Sequence, residues 1–208
     1  MSKRTKEHWQ NRYRDGDMPW DTGEVTAELC RVVMAIDLRV GDHVLDIGCG
    51  TGTDACWLAS SGFITLGIDV AANAVALARA KAGQAALTNV QFLETNILDD
   101  QIVEPCSCNF AYDRGCFHAV DEAERSVFAG EVARRLHPGG HWLSICGNAA
   151  ERRAEGEHGP PQLTAGQIVH AVEAHFDIVC LERGFACDAE GKEHLSWTCL
   201  MTRRDPGV

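Results

Sequence analysis

The stretch Val44-Leu45-Asp46-Ile47-Gly48-Cys49-Gly50-Thr51-Gly52 constrains this 208-residue chain more than any other. Val44 to Ile47 has the length and apolar character of a short buried strand. The three glycines that follow allow a tight turn whose backbone N–H groups can approach a ligand, and the residues from Thr53 onward read as a helix. A second apolar run, Thr65-Leu66-Gly67-Ile68-Asp69, ends in an acidic residue 23 positions after Asp46. A strand, a glycine turn, a helix and a parallel strand with an acidic tip form the first unit of a doubly wound sheet, and that tip is where a ribose hydroxyl finds its acceptor.

Charge narrows the choice of nucleoside ligand. A dinucleotide fingerprint places a third glycine where this chain has Thr53, and Asp46 sets a carboxylate beside the turn, a poor neighbour for a pyrophosphate. The same carboxylate suits an ammonium. S-adenosylmethionine has an amino-acid end carrying that ammonium, a ribose for Asp69, and no phosphate. Asp46, Gly48, Cys49, Gly50 and Gly52 are therefore expected to hold the methionine end, Asp69 the ribose, and Val70 one face of the adenine. A nicotinamide cofactor and a ligand-free structural turn are the alternatives.

Further segments extend the pattern: His8-Trp9-Gln10-Asn11-Arg12-Tyr13, Pro19-Trp20-Asp21-Thr22-Gly23-Glu24, Asp113-Arg114-Gly115-Cys116-Phe117-His118 and Leu136-His137-Pro138-Gly139-Gly140. With these, the chain resembles the class I S-adenosylmethionine-dependent methyltransferases, and within them the thiopurine S-methyltransferase-like branch that includes thiol, halide and tellurite methyltransferases. The resemblance to the cofactor domain covers roughly residues 37–203. It implies that Trp9 and Trp20 close over cofactor and substrate, where an aromatic face attracts a sulfonium and excludes water. It places the adenine against Asn96 and Ile97, with Asn96 standing where the family often has an acidic residue; its side-chain carbonyl can accept from the adenine amine. The methyl acceptor is expected at the end of the fourth strand. There Asp113 would orient the substrate or the ammonium, Arg114 would stabilise an anionic acceptor, and His118 would take a proton. Cys116 reads as packing, since methyl transfer needs no covalent enzyme intermediate.

The rest of the chain fits a single enzyme domain, 45% hydrophobic. A net charge of −11 leaves no basic surface for nucleic acid or anionic membranes. No apolar leader or spanning run is present, so the expected setting is cytoplasmic, with a small-molecule substrate and an open oligomeric state. The ten cysteines contain no C-x-x-C pair and are expected to be reduced. Cys106, Cys108, Cys116 and His118 lack the spacing of a zinc site, so no metal is expected.

The pattern along the chain predicts a Rossmann-like, doubly wound α/β fold: a mostly parallel seven-stranded sheet with an antiparallel C-terminal hairpin. Strands are expected at 43–47, 64–69, 90–94, 109–113 and 141–146, with the closing hairpin at 177–182 and 194–201. Helices are expected at 24–36, 52–61, 71–82 and 122–136, and from a Thr164/Gln167 capping box to about residue 175. Residues 1–23 form an N-terminal lid, and 148–163 a substrate loop beyond the fifth strand. The activity expected is methyl transfer to a small molecule, with a thiol or chalcogen acceptor favoured because His118 is the only evident base. An O- or N-methyltransferase and a non-catalytic S-adenosylmethionine-binding protein are the alternatives.

Overall fold

The computed structural model describes residues 5–99, 103–153, 159 and 161–205. Strands β1 (His43–Ile47), β2 (Ile64–Asp69), β3 (Val90–Glu94), β4 (Cys108–Arg114) and β5 (Leu136–Asn148) run parallel. A two-residue strand, β6 (Gln162–Leu163), pairs with the end of β5, and β7 (Phe176–Cys187) and β8 (Glu193–Arg203) add an antiparallel hairpin. The order across the sheet is β3-β2-β1-β4-β5-β8-β7. The chain leaves β1 in one direction toward β2 and β3, then returns to place β4 on its other side. Helices leaving neighbouring strands in opposite directions open a crevice beyond the carboxyl ends of β1 and β4.

Each element follows from its residues. The central parallel strands β1, β2 and β4 are buried along most of their length, with Val44 to Ile47 all within the core, while the edge strand β3 buries only Phe92. Helices α2 (Ala27–Ala35) and α3 (Thr53–Ser60) bring Leu29, Val32 and Leu58 to one face of the sheet, against Phe110 and Tyr112. Helix α4 (Ala72–Gln84) is alanine-rich and lies close to α3, with Ala78 and Ala82 beside Phe92. At Gly52 a Cβ would lie 2.8 Å from that of Ala78, so only glycine fits. On the other face, α5 (Arg125–Arg135) and α6 (Ala165–Val172) cover an aromatic cluster centred on the fully buried Trp142. Its ring lies 5.3 Å from both Phe117 and Phe176. The capping box at Thr164 and Gln167 is formed.

Helices α2 and α5 begin three residues later than expected, and the larger departures lie at β5, the closing hairpin and the N-terminal segment. His137-Pro138-Gly139-Gly140 is not a connector: β5 begins at Leu136, immediately after α5. The four residues bulge out between the pairs Cys108↔Leu136 and Phe110↔His141. The closing hairpin is longer at its tip, reaching Cys187 and Glu193; Glu182, Arg183 and Gly184 interrupt the apolar run there, and Phe185 beyond them is exposed. The lid contains a helix, α1 (Lys6–Arg14), whose first turn is capped by the Thr5 hydroxyl. Within the expected substrate loop, residues 154–158 and 160 lie outside the described residues, as do 1–4 of the lid.

Candidate active site

A cavity of about 1260 Å³ lies beyond the carboxyl ends of β1, β2 and β4. That exceeds the roughly 300–1,000 Å³ usual for one small ligand and leaves room for a donor and an acceptor together. Its walls include Gly48, Cys49 and Gly50 of the glycine turn, Asp46, Asp69, Val70, Asn96, Ile97, Arg114 and His118, with Trp9, Trp20 and the hairpin tip beside them; Gly52, expected at the donor, faces Ala78 and Phe92 instead.

At the β1 end, Asp46 is 3% exposed, and its Oδ2 makes no hydrogen bond. Burial, together with Asp54, Asp69 and Asp113 nearby, pushes its carboxyl well above the usual carboxylate range. The neighbouring acids are engaged elsewhere. Asp54 accepts from the Thr26 backbone N–H and hydroxyl and from the Tyr112 hydroxyl, all within 2.9 Å. A buried carboxylate oxygen with no donor, set among other acids, demands a cation. An ammonium meets that demand, so the residues present fit S-adenosylmethionine at its amino-acid end.

Asp69 closes the next part of the wall. Its Oδ2 accepts the Gly50 N–H at 3.0 Å and its Oδ1 the Ala71 N–H at 2.9 Å, so the carboxylate shapes the glycine turn while lining the cavity. Each oxygen keeps acceptor capacity for a hydroxyl. Burial raises its pKa against the lowering effect of these N–H bonds. Asn96 Oδ1 accepts the Leu98 N–H at 3.0 Å, the geometry of a turn-forming asparagine, while the residue still faces the cavity. Asp99, three residues on, also lines this end. It supplies an acidic group that sequence reading passed over because the carboxylate falls one helical turn later than expected.

Asp113 does not line the cavity. It is fully buried behind the site, where Oδ1 accepts the Phe117 and Cys116 N–H groups at 2.8 and 3.2 Å and Oδ2 accepts Trp142 Nε1–H at 3.0 Å. Burial pushes its pKa up to about 6 despite these donors. Its place is that of a support for the turn that presents Gly115 and Cys116. This corrects the expectation that it orients substrate or ammonium directly, and the reason is strand alternation, which turns Asp113 toward Trp142.

Arg114, one residue on, faces the cavity and donates to two carbonyls: Trp20 O at 3.4 Å and Cys187 O at 2.9 Å. It joins the lid to the hairpin. His118 is 8% exposed, and its Nδ1 accepts the Gly147 backbone N–H at 2.8 Å. That bond fixes the neutral ring as the tautomer protonated on Nε2. Cys116 and Cys146 also face the cavity, and burial holds both thiols well above their ordinary pKa.

The lid is closed. Trp20 stacks edge-on with Trp9 at 5.3 Å and Tyr13 at 5.8 Å, and the Arg12 guanidinium lies 4.6 Å from its ring centre. Pro19 O accepts the Ala189 N–H of the hairpin tip at 2.6 Å. Tyr13, also passed over by sequence reading, sits beside Gly50, where a Cβ would meet its hydroxyl at 3.0 Å. Its signal lay in the aromatic spacing of Trp9 and Tyr13, one helical turn apart.

The sequence profile of the family described as thiopurine S-methyltransferase matches residues 4–203. Among the chain's relatives, the 2-heptyl-1-hydroxyquinolin-4(1H)-one methyltransferase of Mycobacteroides abscessus is 28% identical over 129 residues. That match takes in 61% of this chain and 55% of the relative, so it spans little more than half of that protein's length. Probable thiol methyltransferase 2 of Arabidopsis thaliana is 28% identical over 162 residues, covering 77% of this chain and 69% of the relative. A solved structure from work on the conversion of a disulfide bond into a thioacetal group during echinomycin biosynthesis superposes with a TM-score of 0.83 at 19% identity. It covers 96% of this chain and 93% of that one, a likeness of fold.

Proposed function

This chain belongs to the thiopurine S-methyltransferase family, and on that premise we propose that it methylates a small-molecule thiol or related chalcogen nucleophile. Bound S-adenosylmethionine supplies a methyl group on a positively charged sulfur, already activated for transfer. In this reading Asp46 pairs with the ammonium, and the turn at Gly48, Cys49 and Gly50 brings its backbone to the amino-acid end. Asp69 accepts from the ribose, and Val70, Asn96, Ile97 and Asp99 border the adenine. Trp9 and Trp20 exclude water and face the sulfonium with aromatic rings.

One observation supports the acceptor class above the others: the Gly147 N–H bond to His118 Nδ1. With Nδ1 occupied as an acceptor, the neutral ring carries its proton on Nε2 and has no lone pair left for a general base. It can donate to an anion. Arg114 contributes a positive charge on the same wall. With Nδ1 of His118 already engaged, the donors on this wall suit a nucleophile that arrives as an anion, which a thiolate does near neutral pH and a phenol or amine does not. Placement of that anion in line with the methyl group then accounts for much of the acceleration.

The M. abscessus relative, named for methylation of a hydroxyquinolinone, keeps an O- or N-methyltransferase as the second reading. A non-catalytic S-adenosylmethionine-binding protein is a third. No helix among the described residues is long and apolar enough to cross a membrane, and the charge of −11 favours a small-molecule acceptor over nucleic acid. The test is a screen with methyl-labelled donor and matched aromatic thiol, phenol and amine acceptors. Label in the thiol is the expected result. Label only in phenol or amine favours the second reading, and donor binding without turnover the third.

A further inference from the structure

We propose that Asp21, Thr51 and Lys81 form a latch that ties the closed lid to the donor-binding turn and sets how long the demethylated donor stays bound. The proposal rests on the donor reading given above and adds three positioning residues to it.

Thr51 stands between Gly50 and Gly52, at the centre of the turn. Its hydroxyl lies 2.8 Å from Asp21 Oδ2 and 3.0 Å from Lys81 Nζ, and the same ammonium reaches the Thr53 hydroxyl. The direction of this chain is fixed by chemistry. An ammonium only donates and an ionised carboxylate only accepts, so the single Thr51 proton must go to Asp21. Lys81 donates to Thr51, and Thr51 donates to Asp21. The two opposite charges thus meet through one hydroxyl, with an ionised group at each end of the relay.

The relay spans three separate pieces of the molecule. Asp21 follows Trp20 in the lid, Thr51 belongs to the turn, and Lys81 lies in the last turn of α4. Helix α4 also grips the lid from its other end, where the Asn73 N–H and side chain donate to Gln10 of α1. Gly50, beside Thr51, is held by Asp69 on one side and faced by Tyr13 of the lid on the other. The turn therefore cannot change shape without disturbing the lid, and lid opening removes a hydrogen-bond partner from the turn. A ligand that fixes the turn strengthens closure, and closure slows the ligand's escape.

Dissociation of S-adenosylhomocysteine from the full chain, followed by stopped-flow tryptophan fluorescence, tests the latch. Lys81→Met and Asp21→Ala should each raise the dissociation rate roughly tenfold, the loss expected for one charge-assisted bond. The double variant should stay near tenfold, because both substitutions cut one chain. Thr51→Ser should behave like the unaltered protein, and Thr51→Val like the single variants. Dissociation rates unmoved by Lys81→Met, or multiplied to roughly a hundredfold in the double variant, would overturn the latch while leaving the donor reading intact. Failure of the unaltered protein to bind S-adenosylhomocysteine would overturn the donor reading and the latch with it.

Discussion

At the scale of single residues, Asp46 and Asp113 show how two buried carboxylates divide the work. Asp113 has three donors on its two oxygens and serves as a scaffold. Asp46 has an oxygen with none, and the surrounding acids raise its pKa further. A cation beside Asp46 would lower that pKa, so binding should expel a proton whenever the free carboxyl holds one. The sign follows: affinity for S-adenosylmethionine is full where Asp46 is already ionised. It weakens as pH falls through the raised pKa of the free protein, a window above the ordinary range near about 4. Calorimetry in buffers of different ionisation enthalpy should record proton release, and Asp46→Asn should lose both the release and much of the affinity. Proton-neutral binding throughout that window would remove Asp46 from the donor site. That Asp46 would stand beside the glycine turn was legible in the sequence, and the structure has it lining the cavity. The turn of Asp113 away from the cavity was not legible, because a strand-end carboxylate gives no sign of which face it turns to.

At the scale of elements, the lid and the hairpin tip meet over the cavity through Pro19 and Ala189, and Arg114 bridges the two through Trp20 O and Cys187 O. Few buried apolar contacts hold the lid. Its core is Tyr13 against Ala71 and Ala74, with Trp9, Met18 and Trp20 packed around them. Segments held this lightly open at low free energy. Protease should therefore cut the lid in the free protein and be blocked by S-adenosylhomocysteine. Trp20→Ala should lower activity while leaving the unliganded melting temperature nearly unchanged. A large loss of unliganded stability with normal specific activity would make Trp20 a structural anchor instead. The ends of β1, β2 and β3 were legible to the residue: β1 and β2 are short buried apolar runs, and the edge strand β3 shows the alternation of Val90, Phe92 and Glu94 with their neighbours. The hairpin tip and the bulge in β5 were not. The bulge is defined by pairing with β4, and the tip by pairing across the hairpin through an exposed stretch, neither of which local composition records.

At the scale of the whole molecule, the sheet order explains why the candidate site lies where it does. Reversal of direction after β3 puts β4 beside β1, and the crevice between them receives Asp46 and the glycine turn from one strand and Arg114 to His118 from the other. Alternation of helix and strand made this architecture readable in advance. The tautomer of His118 was not readable, because it depends on a backbone N–H of β5, 29 residues away. That bond occupies the nitrogen expected to take a proton, and the proposal that the acceptor arrives as its own anion rests on it. The most direct test is the pH dependence of kcat/KM for two thiols of well-separated pKa. The account predicts that the acidic limb of the profile moves with the pKa of the thiol, each rate following its thiolate fraction. An acidic limb fixed at one pH for both thiols, and abolished in His118→Ala, would place a general base in the enzyme and contradict it.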